Sequence, residues 1–167
     1  NLSNTAWAFA TAGHEAPDLF DAISAEAVRR GLGGFNEQDF SNTVWAFATV
    51  GHFAPALFHA IAAKVASRRF CGFDEQHLST LAWAFAVLDP PSSDELFGTA
   101  SFTTRCAHFE TYFSDAALNQ LHQWSLWRDE RGGQWPRLPD SLRQACRDAF
   151  VAGEGRPSVL QLSLIHI

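Results

Sequence analysis

A Trp-Ala-Phe-Ala motif recurs at Trp7, Trp45 and Trp83, at intervals of 38 residues. The copies agree well beyond the tryptophan. Ser3-Asn4-Thr5 answers to Ser41-Asn42-Thr43 and Ser79-Thr80-Leu81, and Gly13-His14 with Pro17, Leu19 and Phe20 answers to Gly51-His52 with Pro55, Leu57 and Phe58. A fixed period of roughly 20 to 50 residues marks a chain assembled from stacked supersecondary units. It argues against an architecture wrapped once around a single core.

The middle copy, Phe35 to Gly72, reads as two helices. Asn36 is a suitable N-cap, with Asp39 three residues on to reach back in a variant of the capping box. Phe40, Val44, Phe47 and Ala48 then follow the i, i+4, i+7, i+8 stripe of an amphipathic helix. Gly51 stands where a left-handed residue ends such a helix, and Pro55 falls in the first turn of the next, where its missing N–H costs nothing. Leu57, Phe58, Ile61 and Val65 give that second helix its own apolar face, and Gly72 closes the unit. A lone hairpin cannot cover two apolar faces, so the units must stack. The expected fold is therefore all-α, a right-handed α-solenoid of stacked helical hairpins with a 38-residue period. Trp45 and its copies lie to one side of the stripe, which suits packing between neighbouring units. A buried tryptophan covers about 150–250 Å², worth several kcal/mol at ~25 cal/mol per Å².

After Trp83 the pattern changes. Asp89-Pro90-Pro91 replaces the Gly-His turn, and residues 98–112 lack a clean repeat. Phe113-Ser114-Asp115 restarts a helix with Leu118, Leu121, Trp124 and Trp127, capped by Ser114 or Asp115. Trp135 to Pro139 reads as a linker, and Asp140 or Ser141 caps a last helix carrying Leu142, Cys146, Ala149 and Phe150. Residues 1–112 are thus read as about three helical repeats and 113–161 as a degenerate repeat with a closing helix. Residues 162–167 resemble a sequencing adapter translated in frame and are set apart from the natural chain. With no Met anywhere, the chain is read as an internal fragment.

Net charge is −6 and both halves are acidic, the opposite balance from most nucleic-acid binders, for which phosphate neutralisation supplies much of the affinity. No apolar run approaches the ~20 residues of a membrane span. Cys71, Cys106 and Cys146 have no zinc-ligand spacing and read as buried reduced thiols. His14 and His52 follow the turn glycine in two copies and read as turn-side polar groups rather than metal ligands. Glu110, Asp115, Asp129 and Glu130 read as solvated charge. With no Ser/His/Asp constellation, phosphate loop or paired carboxylates, no catalytic residue, metal or cofactor is expected, and the chain is not read as an enzyme.

Asn42-Thr43-Val44-Trp45-Ala46-Phe47-Ala48-Thr49, with Gly51-His52 and Pro55-Ala56-Leu57-Phe58, resembles the repeat of the octotricopeptide/heptatricopeptide repeat proteins of algae and other protists. These are often followed by a RAP domain and are related to the FAST-kinase-like mitochondrial proteins. Leu118 to Trp124 and Leu138 to Cys146 are similar to the stretch between repeats and RAP domain. The resemblance covers almost all of residues 1–161. It implies an RNA-binding protein acting on transcript processing, stability or translation in a mitochondrion or chloroplast, with single-stranded RNA as partner. It also implies a RAP domain beyond Gln161.

The residues suggest where RNA would sit. On the first helix of the middle unit, Gln38, Asn42 and Thr49 share an arc roughly opposite the apolar stripe, with small Ala46 between them. The lane repeats as Asn4, Ala8 and Thr11, and as Gln76, Thr80 and Ala84, until Val87 breaks it. Stacking would align these positions along one face, which suits reading one base per repeat. The plainer alternatives are that Asn4 and Asn42 fix repeat packing and that the threonines are solvated surface. Arg29, Arg30, Arg68 and Arg69 serve either RNA phosphates or the helix dipole. A protein-interaction scaffold is the leading alternative function, since the same architecture serves it equally. An enzyme whose catalytic part lies downstream is a third.

Overall fold

Caps and breakers divide residues 1–153, the part that the computed structural model describes, into nine α-helices, with no strand among the described residues. They are α1 (Leu2–Thr11), α2 (Pro17–Arg29), α3 (Glu37–Val50), α4 (Pro55–Ser67), α5 (Glu75–Leu88), α6 (Ser93–Phe97), α7 (Ser101–His108), α8 (Asp115–Glu130) and α9 (Asp140–Ala152). The bounds of α3 and α5, and those of α2 and α4, coincide after a shift of 38 residues. The segment 162–167, set apart above, lies outside the described residues.

The local chemistry of each start repeats as well. Asn1 accepts from the backbone N–H groups of Ser3 and Asn4 at the head of α1. Asn36 and Asp39 close the expected capping box on α3, and Asp74 and His77 close the equivalent one on α5. Each cap contributes about 1 kcal/mol. Pro17 and Pro55 open α2 and α4 without a side-chain cap. Gly51 ends α3 with φ 69, a conformation most side chains resist. Asp89 takes the same left-handed turn after α5, with φ 47.

The third unit departs from the others. Its second helix is broken into α6 and α7 at Gly98, where a Cβ would meet the Asp94 carbonyl oxygen at 2.5 Å. Residues 98–112, irregular by sequence, therefore contain a helix. Of the two candidate caps for α8, Ser114 is the one that accepts, from Ala117 N–H. For α9 the expectation fails. Neither Asp140 nor Ser141 caps it: Pro139 holds the cap position, Asp140 is the first helical residue, and the Ser141 hydroxyl is bonded to Glu110 instead.

The helices pack in two rows. In one, α1 lies against α3, α3 against α5, α5 against α8 and α8 against α9; in the other, α2 lies against α4 and α4 against α6. The apolar stripe read from the middle unit faces inward without exception: Phe40, Val44, Phe47, Ala48, Leu57, Phe58, Ile61 and Val65 are all buried. Aromatic contacts cross the units, with Phe20 edge-on to Phe47 at 4.9 Å and Phe58 against Phe85 at 5.0 Å. Polar contacts stitch the rows at the helix starts. Asn1 and the Ser3 hydroxyl donate to Asp39 Oδ1 at 3.2 and 2.7 Å. Partial desolvation would raise the Asp39 carboxyl, but the hydrogen bonds from Ser3, the Asn36 backbone and Asn1 outweigh it and hold the group below its ordinary value. The third unit has His77 where the second has Asp39, and the Ser41 hydroxyl, equivalent to that of Ser3, is buried without a partner.

The tryptophans do not share one environment. Trp83 is 1% exposed, as expected of a residue between units, whereas Trp7 is 45% exposed and Trp45 only half-buried. Among the described helices α1 has a row neighbour on one side only, α3, while α5 lies between α3 and α8. The cysteines also divide. Cys106 and Cys146 are buried, and desolvation pushes both thiols up, Cys146 to about 11. Cys71 is exposed in the turn after α4, contrary to the sequence expectation. In the native protein near pH 8 a thiol reagent should modify one cysteine rapidly and the other two only after unfolding. Two fast-reacting thiols, counted by mass spectrometry, would contradict this placement.

Candidate nucleic-acid interface

The first helix of each unit has one strip left over for solvent once its row neighbours and the second row have taken the rest. On α3 that strip is Gln38, Asn42, Trp45 and Thr49, with Gln38 exposed and the other three half-buried. On α1 it is Asn4, Trp7, Ala8 and Thr11, all exposed. The helices lie in register, because Trp7 and Trp45 sit beside each other with ring centroids 6.4 Å apart. Five of the seven polar residues singled out by sequence, Asn4, Thr11, Gln38, Asn42 and Thr49, thus line one strip with two indoles, although the Thr49 hydroxyl itself is buried.

The remaining two divide. Gln76 is exposed at the head of α5, but Thr80 is only 6% exposed, and its hydroxyl accepts from Gln76 Nε2 at 3.1 Å. Thr80 is therefore closed to a ligand in this arrangement. The lane thus fades already at Thr80, ahead of the break that Val87 suggested.

Hydrogen bonds arrange the lane. Gln38 Nε2 donates to Asn42 Oδ1 at 2.7 Å, and Gln38 Oε1 lies 3.3 Å from His77 Nε2 on the next unit. The Thr11 hydroxyl donates to the Trp7 carbonyl at 2.8 Å, a local back-bond that fixes its rotamer. The equivalent Thr49 hydroxyl has no partner although the atom is buried. Asn42 is thus held by its own helix, and the Asn4 amide, exposed, makes no side-chain bond to another unit among the described residues. The packing alternative raised for the asparagines fits better at the capping positions, where Asn1 and Asn36 do that work.

Sequence reasoning assigned Trp7 to the core and missed its place on this face. The signal was present: Asn4, Trp7 and Thr11 are spaced i, i+3, i+7, one face of a helix. The arginines also sort themselves. Glu26 binds Arg29 and Arg30 at 2.7 and 2.6 Å, and hydrogen bonds from those two guanidinium groups hold its carboxyl at about 2. Arg68 lies 3.9 Å from Glu37 and over the ring of Phe40. The turn histidine His52 reaches Asp21 Oδ1 at 2.8 Å, a link between units, as its polar reading suggested.

Among the described residues no group of His, Cys, Asp and Glu is arranged to hold a metal ion, and no helix is long and apolar enough to cross a membrane. Comparison with protein-family models, with curated proteins and with solved structures finds no match to this chain.

Proposed function

We propose that this chain is a helical-repeat RNA-binding protein, built as a right-handed solenoid of 38-residue hairpins, that holds single-stranded RNA along the strip running from Asn4 to Gln76. The observation that carries the reading is the juxtaposition of Trp7 and Trp45 with amide and hydroxyl side chains in register on adjacent helices. Base faces stack on indoles at about 1–3 kcal/mol per base, and amides read the exposed base edges of a single strand. The overall charge of −6 contributes no general attraction, so affinity would rest on this strip and on local cations. The resemblance of the repeat to octotricopeptide and heptatricopeptide repeats supports the same reading. It extends the proposal to transcript maturation, stability or translation in a mitochondrion or chloroplast and to the RAP-domain family, without a catalytic role for this part.

Fluorescence titration with single-stranded RNA, with filter binding as a second readout, tests the reading. Binding at micromolar protein or better in low salt is expected, with quenching of the exposed tryptophans. Trp7→Ala should weaken it about 5- to 100-fold, and Asn42→Ala by a smaller factor. Absence of binding at micromolar protein, or affinity indifferent to both changes, would sink it. A protein-interaction scaffold would then lead, favoured by Val28 and Phe53, which expose apolar surface around a groove that also includes Ala25 and Pro55.

A further inference from the structure

The turn after the second helix is built alike in two units, and the difference between the copies isolates one residue. Gly31 and Leu32 both take positive φ (58 and 58), and so do Arg69 and Phe70 (49 and 58). The second member of each pair swings into the core, where Leu32 and Phe70 are buried. The first needs the left-handed conformation without burying anything, which makes it a glycine position; the second unit nonetheless carries arginine there. Among the described residues the Arg69 side chain has neither a hydrogen-bond nor an ion-pair partner, so no internal contact offsets the conformational cost.

What Arg69 faces is a groove of about 450 Å³ along the outer side of α7, lined by Arg69, Ala100, Ser101, Thr104, Arg105 and His108. Those α7 residues follow helical spacing, so two hydroxyls, a guanidinium and an imidazole share a face opposite Arg69. Arg105 is held in place: its Nε donates to the Phe73 carbonyl at 3.0 Å and its Cζ lies 5.0 Å from the Phe109 ring centroid. That leaves its two terminal nitrogens for another partner. No carboxylate lines the groove, although acidic residues outnumber basic ones 18 to 12 in the chain.

We infer that this groove binds a backbone phosphate of single-stranded RNA. The charge complementarity is local and the hydroxyls add donors. Phe73, which anchors Arg105, directly precedes the cap of α5, three residues before Gln76. Phe73 thus ties the groove to the head of α5, where Gln76 begins the third unit's share of the strip. The inference rests on the RNA reading above, and the following experiment separates the two.

Single-stranded RNA affinity is measured against salt for the full chain and for Arg69→Gly and Thr104→Glu. Arg69→Gly removes the cation and relieves the left-handed backbone, so it should fold at least as stably as the parent. Its log Kd against log salt slope should be shallower by about 0.7, the loss of one phosphate contact to a single strand. Thr104→Glu, an exposed helical substitution, should weaken binding about tenfold or more by placing a carboxylate in the groove. Both effects should be uniform across RNA sequences. If the parent chain binds RNA and neither slope nor affinity changes, the groove inference falls while the strip survives, and the groove is left to a free anion or an acidic peptide. If the parent binds no RNA, both proposals fall.

Discussion

Phe97→Ala is expected to lower the unfolding free energy by about 4 kcal/mol and the melting temperature by about 10 °C. Phe97 ends the short helix α6 and is 1% exposed. Around its ring stand Phe85 at 5.8 Å, Phe102 at 4.9 Å, Trp124 at 5.3 Å, Trp127 at 6.1 Å and Trp135 at 5.5 Å between centroids. Those partners come from α5, α7, α8 and the segment before α9, so one ring joins four stretches of chain. Truncation removes the transfer free energy of the ring and leaves a cavity that five rigid aromatic neighbours cannot collapse to fill. Aromatic pairing of about 0.5–1.5 kcal/mol per contact is lost as well. A domain of this size is stable by about 5–15 kcal/mol, so the variant should remain folded but give up a large share of its margin. Phe97→Leu, which keeps most of the volume, should cost less than half as much. Chemical denaturation of the three proteins checks this, and a cost below about 1 kcal/mol for Phe97→Ala would contradict the packing described.

Arg128→Ala should cost about 3 kcal/mol, close to the effect of the core truncation although the residue is charged. Arg128 is 5% exposed at the end of α8. Its guanidinium gathers the carbonyls of the loop that leads to α9: Nε donates to Trp135 at 2.6 Å and to Pro136 at 3.2 Å, and Nη2 donates to Gly133 at 2.6 Å and also to Trp135. Its charge is met by Asp129, 2.7 Å from Nη1. Removing the side chain strands buried carbonyls, at about 1–3 kcal/mol for each that water cannot reach. It also frees Trp135, whose indole N–H bonds Asp94 at 2.6 Å and whose ring packs on Trp127 at 4.9 Å. Arg128→Lys should recover little, because an ammonium cannot reproduce the planar fork that serves several carbonyls at once. Denaturation midpoints measure the loss, and a red shift of tryptophan emission reports release of the loop. A variant as stable as the parent would mean that the loop is held by its apolar contacts alone.

The sequence made legible what is decided within a few residues. The capping box at Asn36 and Asp39, the left-handed Gly51, the proline starts of α2 and α4 and the inward stripe of α3 all follow from local chemistry, and the period carried them from one unit to the next. What it hid depends on where the units meet. Trp7 and Trp83 occupy equivalent positions but differ in exposure because α5 has a row neighbour on each side and α1 on one. Thr80 is buried where its equivalent Asn42 is only half-buried, a difference that no repeat alignment would reveal. Trp135 read as linker and Arg128 drew no reading, since their partnership needs the chain to double back between α8 and α9. The groove joins Arg69 to residues of α7, a helix that the broken pattern after Trp83 concealed. Ser141, a plausible cap by sequence, was captured by Glu110 from a distant part of the chain.

Because each helix of the longer row has, within that row, only the helix before it and the helix after it as neighbours, inheritance can act on this architecture in whole modules. Duplicating or excising one 38-residue block would rejoin surfaces of a kind already present. A single inserted residue inside α3 would instead turn everything beyond it by about 100°, carrying Asn42 and Trp45 away from their neighbours. Lengthening by copies and silence toward small indels within helices is the mutational history such a molecule can tolerate. The Ser41 hydroxyl, unpaired where that of Ser3 is bonded, marks how far two copies can drift apart while still docking.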